Sequence, residues 1–280
     1  MKFIHIADIH FDKPFTRLET RGLSETRRLE QRSAFKKVIE YIKQNQIPYL
    51  FICGDLFEAE YVKQSTIEYI NKKFEEIPNT KIYITPGNHD PNTKNSYYNT
   101  YKFAKNVKIF TSEIEKIEEP NLNIYGYGFE EYYMKNTNTE KLKIEDRTKI
   151  NILLTHADLD GAERGEIKYN PISKSELKPL GFDYVALGHV HKKQIEDEIT
   201  YSGSLISLGF DELGEHGMLL RRNRRTKQKT HITIHKNRRK RIYRKKPRHH
   251  RINNKRRNNR KNKRTRISRK HIHKNKPNRK

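Results

Sequence analysis

Acidic, imidazole and amide side chains follow five short apolar segments of this 280-residue chain. They are Asp8 and His10 after the first segment, Asp55 after the second, Asn88, His89 and Asp90 after the third, His156 after the fourth, and His189 and His191 after the fifth. These groups form an oxygen and nitrogen ligand set without thiolate, which suits Mn²⁺, Fe²⁺ or Zn²⁺ better than Ca²⁺. One such residue after a strand is commonly a turn or capping residue, but five in succession predict a metal site.

The number of these groups is sufficient for two metal ions that share one carboxylate. Two ions about 3.5–4 Å apart are an arrangement that hydrolyses phosphate esters. The residue types and their order therefore predict hydrolytic chemistry on phosphorus.

The elements that must position these groups are predicted from hydrophobic periodicity. Strands are predicted at 2–8, 49–53, 81–85, 123–127, 149–155, 184–187 and 198–202, helices at 25–46, 64–77 and 173–180, and a loop at 132–147. In the first helix Leu29, Phe35 and Ile42 fall on one apolar face. Alternating strands and helices imply parallel strands, whose carboxyl ends meet at one edge of the sheet. The five groups should therefore converge on one crevice.

The basic residues are unevenly distributed. The chain has 60 Lys and Arg against 34 Asp and Glu, a net charge of +26, but residues 221–280 hold 30 of the basic residues and none of the acidic ones. Residues 1–220 are left with a balance of −4, so the net charge does not identify this region as a nucleic-acid binder. We predict an α/β domain over 1–220 and a disordered, non-globular basic tail of low complexity over 221–280.

The tail also lacks Gly, Ala, Val, Asp and Glu, the five amino acids whose codons begin with G. A shifted reading frame in an A-rich gene would remove all five together. Our hypothesis is that the frame slips near Leu220 and that the domain lacks its last strands. The alternative is a genuine basic arm that binds phosphates. Sequencing of the DNA across codon 220 separates the two, and an intact frame would contradict the slip.

Several features predict a cytoplasmic protein without membrane contact. No apolar run approaches the roughly 18 residues of a transmembrane helix. His5 and Asp8 interrupt the first apolar segment, which argues against a secretory signal. Cys53 is the single cysteine, so no intrachain disulfide can form.

The motifs resemble those of a known superfamily. Asp8-x-His10, Gly54-Asp55, Gly87-Asn88-His89-Asp90, His156 and Gly188-His189-x-His191 are similar, in order and spacing, to the motifs of the calcineurin-like metallophosphoesterases. Residues 6–10, 54–57 and 201–205 resemble the SbcD-type DNA repair exonucleases, and residues 12–15 and 208–212 resemble a bacterial branch of them. The resemblance covers about residues 1–220 and implies an αββα sandwich.

The resemblance also implies a role for each site residue. Asp8, His10 and His191 would hold the first metal, Asn88, His156 and His189 would hold the second, and Asp55 would bridge the two. The implied cofactors are two divalent ions, most typically Mn²⁺, with Fe²⁺ or Zn²⁺ as alternatives. A hydroxide activated by the metals would attack phosphorus, and His89 would protonate or stabilise the leaving oxygen.

Some positions depart from the family or lie outside its motifs. Glu58 stands where archaeal and eukaryotic relatives usually carry a histidine, which weakens the transfer of a DNA-positioning role to this residue. His5 is predicted to pack inside a strand, and His216 to occupy a turn. Asp90 is predicted to orient neighbouring imidazoles or loop amides.

We predict a Mn²⁺-dependent SbcD-like exonuclease or endonuclease subunit that acts on DNA in repair. The resemblance further implies an SMC-like coiled-coil ATPase as partner, and a homodimer. One alternative is a phosphatase or cyclic-nucleotide phosphodiesterase of the same superfamily. A second is a non-enzymatic protein that binds nucleic acid through residues 221–280.

Overall fold

The computed structural model describes residues 1–16, 22–135, 137, 139–161, 169–209 and 212–222. The helices are α1 (Leu23–Asn45), α2 (Gln64–Glu75), α3 (Tyr97–Thr100) and α4 (Lys174–Leu180). The strands are β1 (Lys2–Ile6), β2 (Tyr49–Cys53), β3 (Lys81–Thr85), β4 (Val107–Ile109), β5 (Glu115–Glu119), β6 (Leu122–Gly126), β7 (Ile150–His156), β8 (Asp158–Leu159), β9 (Pro171–Ile172), β10 (Tyr184–Gly188), β11 (Gln194–Glu196), β12 (Ile199–Tyr201) and β13 (Leu219–Arg222). The predicted tail lies outside the described residues from residue 223 onward, so its predicted disorder remains a prediction.

Most strands belong to two sheets. The first has the order β13-β1-β2-β3-β4, and the second has the order β11-β12-β10-β7-β6-β5. Strands β1 to β4 pair in parallel in the first sheet, and β6, β7, β10 and β12 do so in the second. Within each sheet the parallel strands therefore direct their carboxyl ends to the same edge, as the sequence predicts.

Three apolar layers hold these elements together. Phe3 and Phe51 of the first sheet pack with Ile152, Leu154 and Tyr184 of the second, which places one core between the sheets. Residues of α1 and α2 cover the other face of the first sheet. Residues of α4 pack on the second sheet. The predicted αββα sandwich of the α/β class is confirmed.

The bounds of the predicted helices and strands agree with the structure to within two residues, but one residue of α1 was assigned to the wrong face. Leu29 was expected on the apolar face but is 61 % exposed, whereas Gln31 is buried. The amide of Gln31 donates hydrogen bonds to the backbone oxygens of Ile9 and His10, at 2.9 and 2.7 Å. A buried polar side chain is tolerated when it is hydrogen-bonded, so this face of α1 supports the loop after β1 instead of adding apolar area.

The last described strand was not predicted. Strand β13 pairs antiparallel with β1 and continues through Arg221 and Arg222, two residues past the predicted domain boundary. The guanidinium carbon of Arg221 lies 4.2 Å from the ring centroid of Tyr184, within the range of a cation–π contact. Among the helices of the described ranges, none combines the length and apolar character needed to cross a membrane.

Candidate metal centre

The predicted ligands lie where two sets of strands end. Strands β1, β2 and β3 lead into Asp8, Asp55 and Asn88, and strands β7 and β10 lead into His156 and His189. The backbone N–H of Asp8 donates to the oxygen of Gly54, at 3.1 Å, which joins the first two loops. Asp8, His10 and Asp55 all have positive φ angles, from 52° to 53°, so the chain turns sharply beside each of them.

Asp8, His10 and His191 form one group of mutually close ligand atoms. Nε2 of His10 lies 3.1 Å from Nε2 of His191. The Nδ1 atom of His10 lies 2.8 Å from a carboxylate oxygen of Glu58, and that of His191 lies 2.7 Å from a carboxylate oxygen of Glu212. Because a carboxylate only accepts, each Nδ1 carries the proton, and in the neutral rings the two Nε2 lone pairs face each other.

Asp8, Asp55 and His156 form a second group. Nδ1 of His156 donates to the backbone oxygen of Cys53, at 2.9 Å, which leaves Nε2 as the acceptor in the neutral ring. This Nε2 lies 3.0 Å from Oδ1 of Asn88 and 3.4 Å from Oδ2 of Asp55. Nitrogen and oxygen lone pairs therefore converge on this side as well.

Both groups fit divalent metal ions of the kind that imidazole and carboxylate bind. Facing lone pairs repel each other unless a metal ion or a proton lies between them. Oδ2 of Asp8 is buried and receives no hydrogen bond from the described residues, a deficiency that a cation would remove. Burial opposes a charged imidazole, yet the carboxylates of Asp55 and Asp8 raise the pKa of His156 to about 9. The surroundings of this ring thus favour positive charge.

His189 lies beside the second group. Its ring centroid is 5.2 Å from that of His156 and 5.3 Å from that of Tyr169, and its backbone N–H donates to Oδ1 of Asp8 at 3.0 Å. Its ring nitrogens belong to neither of the two groups described above. The structure thus brings ligand atoms of six of the seven predicted ligands close to one another, and it places the ring of His189 against that of His156.

His89 borders the first group from the solvent side. Its side chain is 43 % exposed, and its Nδ1 lies 2.8 Å from the second carboxylate oxygen of Glu58. Partial burial by itself lowers the pKa of His89. The hydrogen bond to Glu58 and the charge of Asp55 together outweigh this effect, so the pKa of His89 is raised above its ordinary value. A histidine that favours the protonated form and is open to solvent can donate a proton to a substrate.

Asp90 ties two of the loops together. Its carboxylate accepts hydrogen bonds from the backbone N–H groups of Asp55, Leu56 and Gly87, at 2.9, 2.6 and 2.7 Å, and from the hydroxyl of Tyr98 at 2.7 Å. This arrangement agrees with the predicted role of Asp90 in orienting loop amides. A Cβ atom at Gly87 would lie 2.2 Å from Oδ1 of Asp55, so only glycine allows this close approach.

Sequence patterns did not identify the two glutamates that hold the histidines. Glu58 was noted only as a departure from the family, and Glu212 only as part of a similar segment. His216, predicted to occupy a turn, lies in the loop before β13. It is buried there and contacts the Ser204 hydroxyl and the Glu212 backbone oxygen, at 3.0 and 3.1 Å. His5 packs inside the sandwich, 2.9 Å from the Tyr184 hydroxyl, as predicted.

Comparison with known proteins agrees with this geometry. Residues 1–193 match the calcineurin-like phosphoesterase family. The Bacillus subtilis protein YhaO, an uncharacterised metallophosphoesterase, is 25 % identical over 236 residues, which cover 79 % of this chain and 57 % of YhaO. The DNA double-strand break repair protein Mre11 of Methanopyrus kandleri is 25 % identical over 245 residues, which cover 77 % of this chain and 52 % of that protein. The chain thus spans little more than half the length of these relatives.

Solved structures also match parts of this chain. Purple acid phosphatase PPD1 from yellow lupin seeds has a TM-score of 0.45 and 11 % identity, covering 79 % of this chain and 49 % of that one. TT1561 of Thermus thermophilus has a TM-score of 0.44 and 10 % identity, covering 72 % of this chain and 89 % of that one. On the family match over residues 1–193, this chain belongs to the calcineurin-like phosphoesterase family.

Proposed function

We propose that this chain hydrolyses phosphodiester bonds of DNA with two divalent metal ions, Mn²⁺ foremost, as cofactors. The observation that carries the proposal is the position of Asp55. Its Oδ2 lies 3.4 Å from Nε2 of His10 and 3.4 Å from Nε2 of His156, so one carboxylate faces both groups of ligands. DNA as the substrate is supported by the similarity to Mre11, which is named as a DNA double-strand break repair protein, and by the motifs of the SbcD-type exonucleases.

The ligands divide into two sets around Asp55. Asp8, His10 and His191 would hold one ion, Asn88, His156 and His189 would hold the other, and Asp55 would contact both. When bound, such a pair of ions lowers the pKa of water and neutralises charge on the reacting phosphate.

The protein supplies the proton for the departing group. Hydrolysis forms a bond between phosphorus and a water oxygen and breaks the bond to the leaving oxygen, which then needs a proton. His89 is exposed towards solvent and is held through Nδ1, so its Nε2 is directed to deliver that proton. The backbone N–H of His89 also donates to Oδ1 of Asp55, at 2.9 Å, which sets the distance between the two residues.

The decisive experiment compares the hydrolysis of different substrates by a single preparation of the protein. The full chain is treated with EDTA, reconstituted separately with Mn²⁺, Fe²⁺ or Zn²⁺, and incubated with linear duplex DNA or with small phosphate mono- and diesters. We expect Mn²⁺-dependent DNA degradation that Asn88→Ala abolishes. Hydrolysis of small esters alone, equally sensitive to Asn88→Ala, would contradict the nuclease and support a phosphatase or cyclic-nucleotide phosphodiesterase.

The partners are proposals that rest on the resemblance. An SMC-like coiled-coil ATPase subunit should copurify with the chain when the two are coexpressed, and light scattering should give the mass of a homodimer. Truncation after Arg222 tests the non-enzymatic alternative. Loss of all DNA affinity on truncation, without metal-dependent turnover in either form, would favour binding through the tail.

A further inference from the structure

We propose that Glu58 is a positioning residue that holds His10 and His89 with one carboxylate, so that a metal ligand and the proton donor keep a fixed relation. The role assigned to His89 rests on the proposed function. The hydrogen bonding of Glu58 to the two histidine rings is a separate property, and it can be measured without any enzymatic turnover.

The contacts of Glu58 carry the inference. One carboxylate oxygen lies 2.8 Å from Nδ1 of His10, and the other lies 2.8 Å from Nδ1 of His89. The two rings meet edge to face, with centroids 4.8 Å apart at 74°. Glu58 is only 7 % exposed, so little water competes for its oxygens.

A carboxylate accepts hydrogen bonds and cannot donate them, so it selects one tautomer in each ring. With the proton on Nδ1 of His10, Nε2 is free to face Asp55 and His191. With Nδ1 of His89 held in the same way, the Nε2 of that ring is directed away from Glu58. One side chain thereby sets the ligand nitrogen of one histidine and the direction of the other.

His10, Glu58 and His89 could also hold a cation of their own. The Lys13 ammonium, however, lies 2.9 Å from the Glu58 oxygen that faces His10. Lys13 therefore already supplies a positive charge at that oxygen, and both Nδ1 atoms already have an acceptor. We infer that this group orients rings and does not form a third metal site.

The backbone fixes Glu58 between the two loops that it serves. Its N–H donates to the oxygen of Phe11, at 3.0 Å, next to His10. The N–H of Ala59 donates to the oxygen of His89, at 2.9 Å. Because the backbone on both sides of the Glu58 Cα atom is held, only the side-chain torsions of Glu58 remain to be ordered when it binds the two rings.

The test uses Glu58→Gln, with Glu58→Asp as the conservative variant and Glu212→Gln as the matched control. Glu212 also holds a histidine, His191, but does not contact His89. Glutamine keeps the size of the side chain and replaces one acceptor oxygen with a donor. Long-range ¹H–¹⁵N spectra of the full chain labelled with ¹⁵N-histidine, recorded with and without Zn²⁺, report the tautomer of each ring.

We expect Nδ1-protonated His10 and His89 in the wild type. Glu58→Gln should lose this state in at least one of the two rings, and Glu58→Asp should retain it. Glu212→Gln should leave both rings unchanged. Unchanged tautomers and exchange behaviour in Glu58→Gln would overturn the proposal, whatever the enzyme hydrolyses.

A second readout concerns the leaving group. Bis(p-nitrophenyl) phosphate releases a stable anion, whereas the dinucleotide thymidylyl-thymidine releases an alkoxide that needs a proton. The ratio of kcat/KM for the first substrate to that for the second should rise at least roughly tenfold in Glu58→Gln, by loss of proton donation. It should stay within about twofold in Glu212→Gln. Equal ratios in both variants would overturn the hold on His89. If the wild type cleaves no dinucleotide, the tautomer spectra alone decide on Glu58, and duplex DNA remains the test of the proposed substrate.

Discussion

The two sides of the candidate centre hold their histidines by different means. On one side, carboxylates of Glu58 and Glu212 accept from His10 and His191. On the other side, the backbone oxygen of Cys53 accepts from His156. A carboxylate adds negative charge behind the ring and raises its basicity, whereas a carbonyl oxygen adds only a dipole.

This difference determines which substitutions can act on each side. A single side-chain change removes a glutamate without moving the backbone. The oxygen of Cys53 belongs to the end of β2 in the middle of a sheet, so the hold on His156 changes only when the backbone itself moves. Substitution of a glutamate behind His10 or His191 should therefore act gradually, whereas a substitution that displaces the Cys53 oxygen should act through loss of folding.

Asp55 is common to both sides, and its replacement should have the largest effect. In Asp55→Asn one charged oxygen that faces His10 and His156 becomes neutral. We expect the rate of phosphodiester hydrolysis to fall by roughly 10²–10³-fold, the scale for loss of one strong electrostatic stabiliser. Circular dichroism should show that the fold persists. Activity within tenfold of the wild type would mean that Asp55 does not link the two sides.

Gly188→Ala should displace the backbone oxygen that holds His156 and so destabilise the fold. A Cβ atom at Gly188 would lie 1.7 Å from the oxygen of Cys53, the atom that accepts from His156. We expect the free energy of unfolding to fall by about 3 kcal/mol, the upper end of the usual cost of overpacking. Urea denaturation measures it.

Gly22→Ala is the matched control for this prediction. Gly22 has a φ of 62°, and no atom of the described residues lies within 4 Å of an added Cβ, so only backbone strain of about 1 kcal/mol is expected there. Equal losses for the two variants would show that contact with Cys53 is not the cause.

Metal removal should affect both sides together. Ions that bind only the folded chain stabilise it by about 2.7 kcal/mol at a hundredfold excess over Kd. We expect the Tm of the wild type to fall when EDTA replaces Mn²⁺, and the Tm of Asp55→Asn to fall less. A Tm that is the same in EDTA and in Mn²⁺ would exclude tight binding to the folded state.

Glu212→Gln should have the smallest effect, confined to the side held by glutamates. Burial opposes ionisation of Glu212, but the hydrogen bond from His191 lowers its pKa to about 2, so the carboxylate is charged at neutral pH. We expect the affinity for one Mn²⁺ to weaken by about 10–100-fold, the usual cost of losing a residue behind a ligand. A Mn²⁺ titration followed by electron paramagnetic resonance should show the other ion bound as in the wild type.

Much of the fold could be predicted because its causes are local. Short, mainly apolar segments such as 49–53 and 81–85 read directly as strands, and the polar residues that follow each one mark the edge of the sheet where the candidate ligands lie. The position of α1 was also predicted, but Leu29 was assigned to its apolar face and is exposed. Helical period fixes a stripe along a helix and does not show where the core beneath that stripe ends.

The residues behind the histidines could not be predicted in the same way. Glu58 meets His10 across 48 positions of sequence, and Glu212 meets His191 across 21. Nothing in the local pattern distinguishes these glutamates from solvated ones. Their roles follow only from the packing that closes the loops over the edge of the sheets.

The position of strand β13 affects whether two molecules can pair through the edges of their sheets. By pairing with β1, β13 makes the strand that leads to Asp8 and His10 an interior strand of its sheet. Among the described strands of this sheet, β13 and β4 form the two edges. An interior strand has its backbone donors and acceptors paired on both sides, so it cannot pair with a strand of a second molecule. The pairing with β13 thus removes the ligand-bearing strand from the edge at which intermolecular strand pairing could begin.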